Sequence, residues 1–92
     1  MTKLESLYKW LESNVEYVND LIKIVRVGSY KTDNNTLYGN YKEYCIKNNL
    51  PIIGIKNFVI LIVEYFKNKK IPIKVFTYGK IRYVRFLTLV KN

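Results

Sequence analysis

The sequence predicts an α+β fold of three helices, a short strand and a C-terminal β-hairpin. Three observations carry this. Apolar residues recur at helical spacing in three stretches, within residues 4–11, 37–45 and 55–66. Residues 36–58, TLYGNYKEYCIKNNLPIIGIKNF, join the second and third of these through a short turn, a helix-turn-helix arrangement. Beyond Pro72, which blocks helix continuation, the apolar period changes from helical to two.

The first helix is expected over Lys3–Asn14. Leu4, Leu7, Tyr8 and Leu11 form an i, i+3, i+4, i+7 stripe after Thr2, a candidate N-cap with Glu5 three residues on. Trp10 lies about one residue off that stripe and is expected to pack at its edge. From Val15 to Thr32 two periods compete: Val18, Leu21, Ile22 and Val25 keep helical spacing, yet Ile22, Ile24 and Arg26 against Lys23, Val25 and Val27 also fit a β-branched strand ending at Gly28. The expectation is a helical or irregular link to Asp20, then a short strand within residues 21–27 that can pair with the later hairpin.

For the second helix, Asp33, Asn34, Asn35 and Thr36 are each candidate caps. Leu37, Tyr41, Tyr44 and Cys45 give it a core-facing side, with Leu37 and Tyr38 extending it, and Asn48 and Asn49 supply a stop. Pro51 forces Leu50 toward an extended backbone, and Gly54 can stand at the entry to the next helix. The third helix is then expected over Ile55–Asn68, with Phe58, Ile62, Ile55, Phe66 and Val59 facing the core and Tyr65 and Leu61 at the margins. Its opposite face carries Lys56, Asn57, Ile60, Val63, Glu64 and Lys67. The run FVILIV would also suit a buried strand, so the helix reading leans on the preceding turn and on the length to Lys70.

In the last segment Ile73, Val75 and Thr77 alternate with Lys74, Phe76 and Tyr78, Gly79 marks a turn, and residues 81–90 form a second alternating run. The order helix, strand, helix, turn, helix, hairpin describes a winged helix-turn-helix, with the hairpin as the wing. No internal repeat or low-complexity linker interrupts it, so one domain is expected over residues 1–92.

Composition narrows the chemistry. The chain has no histidine and one cysteine, which excludes a histidine base, Ser-His and Cys-His pairs and ordinary zinc sets. Asp20, Asp33, Glu43 and Glu64 show no paired-carboxylate spacing, so no catalytic residue, metal or cofactor is expected. Cys45 is read as a packing residue that fits a reducing intracellular setting. The longest apolar run, residues 58–63, is too short to span a bilayer, and no secretion signal is visible. Heavy use of Ile, Lys, Asn and Tyr fits an AT-rich genome such as those of many viruses and phages, which would put the protein in the host cytoplasm or at a replication site.

The net charge is +9, and its placement is uneven. Residues 1–46 hold six basic groups (Lys3, Lys9, Lys23, Arg26, Lys31, Lys42) against six acidic ones, whereas residues 47–92 hold ten basic groups against Glu64 alone. That asymmetry suits a surface that meets a polyanion; a solvated lysine-rich face is the plainer alternative.

The segment LYGNYKEYCIKNNLPIIGIKNF resembles the C-terminal winged-helix domain of poxvirus-type, phage and plasmid primase-helicases, in which an aromatic-rich helix precedes a turn and a Phe-containing third helix. Tyr38, Tyr41, Tyr44, Cys45 and Phe58 carry the resemblance. It implies a domain that helps engage DNA in viral or mobile-element replication. No GxxxxGK phosphate loop is present, so this chain lacks the ATPase part. Tyr38, Tyr41, Tyr44 and Phe58 are themselves expected in the core.

Non-catalytic nucleic-acid binding, DNA ahead of RNA, is therefore the leading expectation. Lys56, Lys67, Lys69, Lys70, Lys74, Lys80, Arg82 and Arg85 would contact phosphates, Asn57 together with Lys56 and Lys67 offers base-edge chemistry, and Tyr78 at the hairpin tip could stack on an unpaired base or only pack the turn. Few residues read bases, so weak specificity and strong salt dependence are expected. The alternative is a protein-interaction or self-association module, serving a larger replication protein or a second copy, with Ile60 and Val63 as its apolar surface. A membrane role ranks well behind both.

Overall fold

Thr2 opens the first helix as its spacing predicts. Its hydroxyl accepts the Glu5 N–H and the Glu5 carboxylate accepts the Thr2 N–H, both at 3.1 Å, which completes a capping box. In the computed structural model, which describes residues 2–29 and 34–90, α1 spans Lys3–Asn14. Its buried face is Ser6, Leu7, Trp10 and Leu11, while Leu4 stays 41% exposed. Trp10 is thus central and not at the edge, because its indole N–H reaches Asn40 Oδ1 at 2.8 Å and the whole ring can be buried without an unpaired donor.

The link after α1 is a strand where a helical or irregular segment was expected. β1 (Val15–Tyr17) follows directly and pairs antiparallel with β5 (Leu87–Leu89) at the far end of the chain. Three residues are too few for an alternating pattern to register, and their partner is distant in sequence. β2 (Ile24–Arg26) falls inside the expected strand and pairs with the hairpin, as expected.

Thr36 takes the cap of α2 (Leu37–Lys47), its hydroxyl accepting the Gly39 N–H at 3.1 Å. The rival Asp33 lies outside the described residues, as do Lys31, Thr32 and Lys91. The helix stops at Asn48, and Asn49 turns the chain with φ 55°. α3 occupies Ile55–Asn68 after an N-cap at Gly54, so the FVILIV run is helical. Between the two helices, two tyrosines of α2 hold the peptide groups of Ile53: Tyr38 Oη donates to its carbonyl at 2.8 Å, and its N–H donates to Tyr41 Oη at 3.1 Å. Trp10, Tyr38 and Tyr41 then close around Phe58 of α3, with ring centroids 5.7, 5.0 and 4.9 Å from it. Tyr44 is only partly buried.

β3 (Lys74–Tyr78) and β4 (Ile81–Arg85) form the hairpin. Gly79 and Lys80 have φ 58° and 67°, the paired positive values of a two-residue turn whose twist matches the strands. The run expected to continue to Val90 instead breaks at Phe86, with φ 76°. Phe86 N–H donates to the Lys23 carbonyl and its own carbonyl accepts from Val18 N–H, both at 2.8 Å. One residue thereby ends the three-stranded sheet, ordered β2-β4-β3, and starts the two-stranded β1-β5 sheet. On the inner side, Val27, Val75 and Val84 meet Leu37, Val59 and Ile62, which seats the sheet on α3. The architecture is α+β, three helices with two small antiparallel sheets.

Candidate nucleic-acid interface

Strand register decides which cations gather. Pairing Lys74 with Arg85, Phe76 with Tyr83 and Tyr78 with Ile81 puts all six on one face of the hairpin, because side chains alternate across a sheet. β2 adds Ile24 opposite Arg85 and Arg26 opposite Tyr83. Val75 and Val84 turn the other way, into the core. The three strands and their turn carry Arg26, Lys74, Lys80, Arg82 and Arg85 and no carboxylate.

Each cation is held differently. The Arg85 guanidinium lies 5.0 Å from the centroid of Phe76 and donates to the Leu21 carbonyl, so it is anchored and half-buried. Lys74, Lys80 and Arg82 are exposed. Lys80 and Arg82 border one open concavity at the hairpin tip together with Arg26, Ser29 and Thr77. Arg26 was missed from the sequence, where it counted toward the charge-balanced half. The expected pairing of its strand with the hairpin was the signal that could have found it. Tyr78, at 77% exposed, stands beside the turn.

On and after α3, Asn57 borders one concavity, and Lys67 and Lys70 border another. Lys56 and Asn57 are exposed in the first turn of α3, and Asn57 borders Lys3, Leu4 and Ile60 at the start of α1. Lys67 and Lys70 flank a second concavity with Val63, Ile71 and Ile73. Lys69 departs from both, its ammonium 4.6 Å from the Tyr65 ring centroid. A hydrogen bond to the Tyr65 hydroxyl, then the charge interaction with that group, hold the Lys69 pKa above its ordinary value. Of the two apolar residues on this face, Ile60 is 51% exposed, whereas Val63 is half-buried.

In the interior, burial pushes the Tyr41 hydroxyl and the Cys45 thiol above their ordinary pKa values. Both stay protonated at neutral pH, so the cysteine packs as a thiol. Among the described residues no helix is long and apolar enough to cross a membrane, and no group of three metal-ligating side chains forms.

No family model matches the sequence, and no curated protein matches it. Among solved structures, the crystal structure of the phage P4 origin-binding domain is similar, with a TM-score of 0.75 over 92% of this chain and 87% of that one, at 14% identity. The likeness is one of fold: this chain and that domain share their arrangement of helices and small sheets.

Proposed function

We propose that this chain is a winged-helix domain that binds DNA without catalysis and serves DNA replication. The observation that carries the reading is the gathering of Arg26, Lys74 and Arg85 on one face of the three-stranded sheet, with Lys80 and Arg82 beside Arg26 around the concavity at its tip and no carboxylate among them. A phosphate backbone is the polyanion such a surface suits, since lysine and arginine contacts release its counterions. The fold shared with an origin-binding domain supports the same reading, as does the resemblance of residues 37–58 to the winged-helix end of primase-helicases. Lys56, Asn57, Lys67 and Lys70 on and after α3 add contacts beside the wing; Lys69 contributes least, because Tyr65 already holds it. A larger replication protein or a second copy is the further partner, with Ile60 as the exposed apolar contact.

Fluorescence anisotropy with labelled single-stranded and duplex DNA at low salt tests the reading. Lys80→Glu combined with Arg82→Glu should weaken binding by about tenfold or more, since two phosphate attractions become repulsions. Undetectable binding by the unaltered chain, or equal binding by the double variant, contradicts it. Sedimentation of Ile60→Asp against the unaltered chain tests self-association through α3, which predicts a lower mass for the variant; equal masses remove that contact.

A further inference from the structure

We propose that the outer face of the β2-β4-β3 sheet is a stacking platform for an unpaired nucleic-acid strand, an inference that rests on the DNA-binding reading and names a second form of the same ligand. Phe76 and Tyr83 stack on one another across the hairpin, centroids 5.5 Å apart and planes 23° from parallel, so Tyr83 keeps its other face for a further ring. Tyr78 continues the row two residues beyond Phe76, a spacing of about 6.7 Å along a strand, within reach of successive bases on an extended chain. It is 77% exposed at the tip, where burial supplies little reason for an aromatic ring.

Charge surrounds these rings. Arg26 pairs across from Tyr83 on one side, Lys74 pairs with Arg85 at the far end, and Arg85 covers Phe76. Aromatic rings interleaved with cations, free of carboxylates, are what a single strand requires: base faces to stack on and phosphates to neutralise. A duplex cannot use the rings in this way, because each base face is already covered by its neighbour; only an unpaired strand presents them. Ile24 and Ile81, 44% and 36% exposed, lie on the same face, where Phe76 and Tyr83 are half-buried. A strand held here would leave the outer side of α3 to paired DNA.

The test compares three labelled ligands by anisotropy on the full chain: an oligo-dT strand on the order of ten nucleotides long, an abasic strand of equal length, and a duplex. Stacking predicts that oligo-dT binds at least about fivefold more tightly than the abasic strand, and that this ratio collapses toward one in Tyr78→Ala and in Tyr83→Leu, with thermal melts confirming that each variant folds. The ratio separates stacking from charge, because both strands carry the same phosphates. Duplex binding with no single-strand binding overturns the platform and leaves the DNA-binding reading standing. Equal binding of oligo-dT and abasic strand, or a ratio that survives in both variants, overturns the platform as well. Binding of none of the three ligands overturns both readings.

Discussion

The Tyr38 hydroxyl donates to the Ile53 carbonyl at 2.8 Å across the turn between α2 and α3. Ile53 is buried, and its N–H is in turn satisfied by Tyr41. Two tyrosines one helical turn apart therefore fix the peptide groups that set where α3 begins. Tyr38→Phe leaves a buried carbonyl without that donor and should cost about 1–3 kcal/mol. Tyr41→Phe does the same to the N–H. Because both act on one residue, the double variant should lose less than the sum of the singles. Urea titration of the four proteins measures it, and near-neutral single variants would show that the turn holds without the hydroxyls.

Alkaline pH should loosen the same region. The buried Cys45 thiol and Tyr41 hydroxyl have folded pKa values raised above their ordinary 9.0 and 10.0. For acids with raised folded values the unfolded chain releases its protons first, so stability is full below the ordinary values and is lost as pH rises through them. Thermal melts should decline from about pH 9 upward. Cys45→Val should delay the onset, and Tyr41→Phe should lessen the decline above pH 10. Melts that fall equally in all three proteins would assign the loss to other groups.

The hairpin tip makes a backbone prediction. Gly79 has φ 58°, and a Cβ there would meet nothing within 4 Å, so the cost of a side chain is conformational and not steric. Gly79→Ala should destabilise the hairpin by about 1–2 kcal/mol, and Gly79→Asn by less, since Asn tolerates this region. Amide exchange at residues 74–85 reads the effect locally. Unchanged protection in the alanine variant would contradict the turn geometry.

What the sequence made legible was local. The capping box at Thr2, the stop at Asn48 and Asn49, the entry at Gly54 and the hairpin turn at Gly79 depend on neighbours within a few residues, and the structure has them at those positions. Features set by distant partners were harder to read. β1 owes its existence to β5, Trp10 owes its burial to Asn40, and the break at Phe86 serves two sheets at once. The candidate site divides in the same way. Its cations were visible as a charge imbalance, but the recruitment of Arg26 and the capture of Lys69 by Tyr65 follow from register and ring contact. Neither is written in composition.

The proposed role turns most directly on how binding responds to salt. Affinity for a labelled duplex should be measured across a salt series for the unaltered chain and for Lys80→Glu with Arg82→Glu. If the sheet and α3 engage phosphates, log K should fall linearly with log salt, with a slope of about −3 to −6 for several neutralised phosphates. The variant's slope should be shallower by about 2, one for each phosphate that a cation no longer neutralises. A flat response, or the same slope in both proteins, would contradict the assignment of this basic surface to DNA.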